Sequence, residues 1–284
     1  MIKGKLNEYM DIRLIALDMD GTALKNDGGI SAGTLEIVAK ALAAGIHVVP
    51  ATGRTLSEVP DEIMTLPGMR YAIVSNGASV MDLESGREIY ADPIPLETAL
   101  KLFEILFAEN LAFETYSEGV SYSDERYRNE IMHFFGGLGS NFTWMVERMH
   151  FVHGLPAHFE ESNRNVEKMY VHYIEKEVHD QLAQKLQALP SVGSTFSDHL
   201  NMEINSATAN KGAALRMLCR ELGIEPQQVM AIGDGNNDLP MLEFAGIRVA
   251  MGNSVAAAKQ MASHVTVSNN EDGVAAAMSK FLGL

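Results

Sequence analysis

Short apolar runs that break into small, polar loops recur along the chain. Arg13 to Leu17 ends in Asp18-Met19-Asp20-Gly21-Thr22, Ile46 to Pro50 in Ala51-Thr52-Gly53-Arg54, and Tyr71 to Val74 in Ser75-Asn76-Gly77-Ala78. Such runs, closed by turn-forming residues, predict buried strands that empty into loops. Between the first two, Leu35, Val38, Ala39 and Leu42 fall on one helical face, with Ser31 placed to cap the start and Gly45 to end it. The same grammar resumes at a helix from about Asn210 to Leu222, closed by Gly223, and a strand from Val229 to Ile232 that ends in Gly233-Asp234-Gly235-Asn236-Asn237-Asp238. Apolar runs at Arg248 to Met251 and His264 to Val267 complete the series. Strands alternating with helices predict an α/β fold with a doubly wound parallel sheet, in which ligands bind at the carboxyl ends of strands.

From about Met81 to Asn205 the pattern is hairpin-like instead. A helix from Leu96 to Glu109 precedes strands near Leu111 to Ser117 and Val120 to Ser123. A strand at Val166 to Ile174, a helix near Val178 to Leu189, and strands at Val192 to Phe196 and Leu200 to Ile204 form a loosely similar group. This predicts an inserted α/β domain over 82–205, with 1–81 and 206–284 forming the core. Arg126 to Arg164, with Gly136, Gly137, Gly139, His133, His150, His153, His158 and the only tryptophan, Trp144, carries no clear period.

At 284 residues, 46% hydrophobic and 21% charged, the composition is that of a soluble globular chain long enough for two domains. The net charge of -15 argues against nucleic acid and membrane surfaces as partners, and nothing implies a protein partner. A single cysteine, Cys219, cannot form an internal disulfide and reads as a small buried residue. Met1 to Asp11 is polar, and no apolar run approaches the ~20 residues of a membrane span. The expected location is the cytoplasm.

The candidate chemistry begins with Asp18 and Asp20, two apart at a strand end, where extended geometry turns both carboxylates to one side. An acidic turn is the plainer reading, but Asp234 and Asp238 end another strand. If the two loops meet, each close carboxylate pair repels by roughly 4 kcal/mol at an effective dielectric of about 20. A divalent cation relieves that repulsion, and all-oxygen ligation suits Mg²⁺ rather than zinc. Lys211 opens a predicted helix, where the macrodipole disfavours a cation by ~0.3–1 kcal/mol. An anionic ligand shared with the helix start offsets that cost, and Thr52-Gly53 ahead of another expected helix offers a similar cradle. The seventeen methionines read as core filler, and the histidines at 133, 150, 153 and 158 lack metal-site spacing. Arg164, His199 and Tyr122 are polar candidates for contacts with a leaving group.

These motifs, in this order, resemble those of the haloacid dehalogenase superfamily phosphatases, specifically the Cof-type branch (subclass IIB). The resemblance rests on Asp18-Met19-Asp20-Gly21-Thr22, on Thr52 in Thr52-Gly53-Arg54, on Lys211-Gly212 and on Gly233-Asp234-Gly235-Asn236-Asn237-Asp238, with Asn76-Gly77-Ala78 as a further motif of the branch. It implies a Rossmann-like core with an inserted α/β cap of type C2. It also implies that Asp18 attacks a phosphoryl group to form an aspartyl-phosphate, while Asp20 acts as general acid and then base. Mg²⁺ would be held by the Asp18 carboxylate, the Asp20 carbonyl and Asp234, with Asp238 behind them. Thr52, Gly53, Lys211, Asn237 and the Met19 amide would bind the phosphoryl oxygens. The implied substrate is a small phosphorylated metabolite, such as a sugar phosphate or a phosphorylated cofactor. A sugar phosphomutase with the same nucleophile is the alternative. A non-catalytic phosphometabolite-binding module is a second, disfavoured because Asp18 and Asp20 add negative charge against a phosphate.

Overall fold

Alternation within each apolar run decides what each strand covers. A computed structural model describes residues 11–139, 142–172, 175–195 and 201–283. Strands β1 (Leu14–Leu17), β2 (His47–Pro50), β3 (Tyr71–Val74), β4 (Ser79–Asp82) and β5 (Arg87–Ala91) precede the insert. The insert carries β6 (Phe113–Ser117), β7 (Val120–Asp124), β8 (His150–Val152), β9 (Lys168–Val171), β10 (Val192–Thr195) and β11 (Met202–Ser206). The core then resumes with β12 (Val229–Gly233), β13 (Ile247–Ala250) and β14 (His264–Val265). His199, Leu200 and Ile174, and all but the last residue of the polar start, lie outside the described residues.

The core sheet is parallel, in the order β14-β13-β12-β1-β2. On one face Ile15, Leu17, Met230 and Ile232 meet the helices Ala32–Ala43 and Gly273–Leu282. On the other, Leu14, Ala16, Val229 and Ala231 meet Lys211–Leu222 and Leu239–Phe244. Burial on both faces is why these strands read as unbroken apolar runs. The caps form as their residues dictate: Ser31 Oγ accepts from the Thr34 amide at 3.0 Å, and Gly223 closes its helix with φ 64°.

Strand order reverses between β1 and β12. Leu17 pairs with Ile232, and the Asp18 amide donates to the Ile232 carbonyl at 3.0 Å. The loops that leave β1 and β12 therefore lie side by side, the arrangement that opens a ligand crevice at a switch point.

Two features depart from the expected outline. β3, β4 and β5 form an antiparallel sheet tied to the core sheet by a parallel bridge between Ala51 and Ile73. Residue 82, where the insert is expected to begin, is the last of β4, and β5 beyond it still pairs with β4. The unpatterned stretch folds as the helices Arg128–Leu138, Thr143–Arg148 and Leu155–Ser162 around β8.

The insert builds a six-stranded sheet, β10-β11-β9-β6-β7-β8, antiparallel except between β7 and β8. Phe113, Met169, Val171, Met202 and Ile204 point into its core beside Phe103 of the helix Leu96–Ala108 and Phe159. The intervening residues face the core domain across a cavity of about 570 Å³.

Candidate active site

Asp18 is the first residue beyond β1, and Asp234 the first beyond β12. The chain curls immediately after Asp18: the Leu24 amide reaches the Met19 carbonyl at 2.8 Å, and Gly21 takes a positive φ of 75°. A Cβ at Gly21 would stand 2.5 Å from Asp234 Oδ2, so only glycine lets this turn close around that carboxylate. Thr22 Oγ1 donates to Asp234 Oδ1 at 3.1 Å.

Lys211, the first residue of its helix, is fully buried. Its ammonium forks between Asp18 Oδ1 at 2.6 Å and Asp238 Oδ1 at 2.7 Å. Burial alone would depress its pKa, but the two carboxylates push it above the ordinary lysine value. The cost of a cation at a helix start is thus offset within the protein. Asp238 Oδ2 accepts from the Asp234 and Gly235 amides at 2.8 and 2.9 Å. Both Asp238 oxygens are engaged, so it shapes the Asp234 loop. Burial, and then Asp238, raise the Asp18 carboxyl well above its usual range against the pull of Lys211. Burial and Asp238 also lift Asp234 to about 6.

Asp18, Asp234 and Asp238 offer carboxylate oxygens within 4.8 Å of one another. Such a hard, all-oxygen set fits a divalent cation such as Mg²⁺, which would relieve the crowding that raises Asp18 and Asp234.

Asp20 leaves this cluster. The curl replaces the extended geometry expected of Asp18-Met19-Asp20, and the Asp20 carboxylate meets Arg54 in a fork, with 2.6 Å from Nη2 and 2.8 Å from Nε. Its side chain remains 55% exposed toward the cavity. Enclosure favours the neutral acid, but Arg54 outweighs it and holds Asp20 below its ordinary value. A ready proton on Asp20 at neutral pH, which the acid role requires, is therefore not a property of this arrangement.

The residues expected to hold phosphoryl oxygens are positioned differently from one another. Met19 is buried in the core, which fixes its backbone beside Asp18. The Thr52 hydroxyl accepts from the Arg54 amide at 3.1 Å, and Gly53 lines the cavity. The chain beyond them forms a short turn, Leu56–Glu58, and then the four-residue helix Asp61–Met64. Asn237 lines the cavity and donates to Asn76 Oδ1 at 3.2 Å.

Four residues of the site are assigned no role by the sequence alone: Arg54, Asn76, Lys168 and Glu203. Asn76, at a left-handed φ of 59°, also donates to Glu203 Oε2 at 2.6 Å and Asn205 Oδ1 at 3.2 Å. Lys168 Nζ donates to the Gly53 carbonyl at 2.5 Å and to Glu203 Oε1 at 3.3 Å, above the rings of Tyr116 and Tyr170. An asparagine-glycine pair at a strand end was the available signal for Asn76. For Lys168 and Glu203 the signal was the apolar-polar alternation of β9 and β11. Arg164 and Tyr122 bond to each other at 2.7 Å and are absent from the cavity wall, a correction to their expected place at the leaving group. Cys219 is buried, and burial pushes its thiol up to about 12. Among the described residues no helix is long and apolar enough to cross a membrane.

The sequence profile of the haloacid dehalogenase-like hydrolases matches residues 15–278. A 5-amino-6-(5-phospho-D-ribitylamino)uracil phosphatase of Bacillus subtilis is 30% identical over 281 residues, 95% of this chain and 98% of its own. The pyridoxal phosphate phosphatase of Escherichia coli is 29% identical over 277 residues, covering 94% and 97%. A solved haloacid dehalogenase-like hydrolase from B. subtilis superposes with a TM-score of 0.81 at 27% identity, covering 94% of this chain and 99% of that one.

Proposed function

Because this chain belongs to the haloacid dehalogenase-like hydrolases, we propose that it is a Mg²⁺-dependent phosphatase of small phosphorylated metabolites, with Asp18 as nucleophile. The observation that carries this reading is the convergence of Asp18, Asp234 and Asp238, two of them bonded to the buried Lys211, at a cavity between the core and the insert. The phosphatase names of relatives acting on a ribityl-uracil phosphate and on pyridoxal phosphate support a small substrate. So does the cavity, since about 570 Å³ between two domains accommodates a metabolite and not a folded phosphoprotein.

Asp18 and Asp234, with the Asp20 carbonyl, would hold Mg²⁺, and Asp238 would orient the Asp234 loop. When bound, the cation supplies charge neutralisation that lets an anionic carboxylate approach an anionic phosphoryl group. An Asp18 oxygen attacks phosphorus in line and the bond to the substrate alcohol breaks. The leaving alkoxide takes a proton from Asp20, and the aspartyl-phosphate is then cleaved by water that Asp20 deprotonates. Arg54 favours the ionised Asp20 of the second displacement, whereas the first requires a proton on Asp20. Lys211, the Gly53 and Met19 amides, Thr52 and Asn237 stabilise the phosphoryl oxygens as charge shifts. Ties such as Ser75 Oγ to Glu167 Oε2 at 2.5 Å and Arg148 Nη2 to Asp61 Oδ2 at 2.6 Å seat the cap on the core.

The test is phosphate release from a panel of phosphorylated metabolites with and without Mg²⁺. Release that stops in excess chelator and returns with added Mg²⁺ is expected. Undiminished release in chelator overturns the metal assignment, and isomerisation of a sugar phosphate without free phosphate overturns hydrolysis in favour of a mutase.

A further inference from the structure

Strand register lays out the cap's inner surface. In β6, β9 and β11, Glu114 pairs with Tyr170 and Tyr170 with Glu203, while Tyr116 pairs with Lys168 and Lys168 with Asn205. Two rows of polar side chains thus cross the sheet, and Glu114, Tyr116, Lys168, Tyr170 and Glu203 line the cavity. Phe134 and Leu138 of the helix Arg128–Leu138, with Phe142 and Met145 at the start of the next helix, line its apolar side.

The charges in that lining are unequal. Among the described lining residues the only cations are Arg54 and Lys168. Arg54 is forked by Asp20, and Lys168 is held by Glu203 and the Gly53 carbonyl. Each is thus paired with a carboxylate of the lining, and Glu114 has no cation of the lining as its partner. Glu114 and Glu203, almost wholly buried, stand at either end of one row. Glu114 Oε2 accepts from the Ser121 hydroxyl at 2.5 Å, and Oε1 lies 2.7 Å from His172 Nε2.

Resting on the phosphatase reading above, we propose that Glu114 and Glu203 are specificity-determining residues. They select phosphomonoesters whose alcohol portion is neutral or cationic, carries hydrogen-bond donors and presents a flat or apolar face, and they reject substrates with a second anionic group. Carboxyl oxygens accept hydrogen bonds, so an amino or hydroxyl group on the leaving group finds partners there. A second carboxylate or phosphate enters a space walled by two acidic side chains, whose two cations are each already paired with a carboxylate. The apolar wall offers a ring or hydrocarbon its face.

The experiment measures kcat/KM for phenyl phosphate, para-carboxyphenyl phosphate and para-(aminomethyl)phenyl phosphate, which share the reacting oxygen and differ in remote charge. The carboxylated ester is expected to be poorer than phenyl phosphate by on the order of a hundredfold, as an unpaired buried charge implies. The aminomethyl ester is expected to match or exceed phenyl phosphate. In Glu203→Gln, and independently in Glu114→Gln, the ratio of carboxylated to parent ester should rise by about tenfold. The wild-type ratios need no variant to fold. Equal kcat/KM for all three esters in the wild-type enzyme overturns the selectivity while the phosphatase reading stands. Failure to release phosphate from any of them, or from acetyl phosphate, removes the phosphatase reading and the selectivity with it.

Discussion

The core and the cap build their halves of the cavity by different means. In the core, every reactive group sits where a backbone element ends or begins: Asp18 and Asp234 just beyond strands, Lys211 at a helix start. Their convergence follows from sheet topology. In the cap, Glu114, Lys168, Tyr170 and Glu203 sit within strands and reach the cavity because alternate residues face it. A core group is therefore fixed by the turn that carries it, whereas a cap group is fixed by its register in the sheet and by its neighbours across the cavity. The proposed chemistry is thereby tied to the sheet topology, and the proposed choice of leaving group to side chains within strands.

The two halves should part most sharply at the nucleophile. Asp18→Asn should lower turnover by at least about 10⁴-fold with the far-ultraviolet circular dichroism unchanged, the scale seen when a covalent nucleophile is removed. Retention of most activity would exclude Asp18. Next comes its counter-charge. Lys211→Met strands the buried carboxylates of Asp18 and Asp238 and should cost about 3–5 kcal/mol of stability, read by urea denaturation without added metal. An unchanged midpoint would show that the lysine does not balance them.

The seam between the regions supplies the next test. Glu58, a buried core residue, is lifted to about 7 by burial and then by the facing cap carboxylate Glu114, against Arg54 and Lys168. A carboxyl raised in the folded state contributes stability that is complete below the unfolded value of 4.5 and lost as pH rises through about 7. Glu58→Gln should flatten that loss, worth up to about 3 kcal/mol, and be more stable than wild type near pH 8. Parallel stability curves for the two proteins from about pH 5 to pH 8 would refute it.

A weaker effect is expected at the residue joining both regions. Asn76→Gly keeps the left-handed backbone but removes the amide that links Asn237 to Glu203 and Asn205. A fall of about tenfold in kcat/KM, mostly in KM, is expected from losing bonds to buried partners. No change in either constant would make the link incidental.

How far these features were legible depends on the same divide. Core strands were visible because parallel strands buried on both faces are apolar throughout, and their loops because glycine and aspartate crowd at the ends. The cost of a lysine at a helix start signalled a nearby anion, though the anions proved to be Asp18 and Asp238 themselves. Arg54 was hidden because its role depends on where Asp20 lands after the curl at Gly21. β5 was missed because Arg87, Glu88 and Ile89 are exposed and lack an apolar run. Arg164 and Tyr122 were misplaced because polarity alone does not say which side of a domain a residue faces.

By itself the sequence determined the core strands β1, β2, β3 and β12, the caps at Ser31 and Gly223, and the residues available at those strands' carboxyl ends, since these depend on neighbours a few positions apart. Only the tertiary structure decided that Lys211 would meet Asp18 across 193 positions, that Arg54 would clamp Asp20, and that the polar rows of the cap would face a cavity and not bulk water. An alternating strand specifies two faces, and only the element packed opposite determines what each face meets.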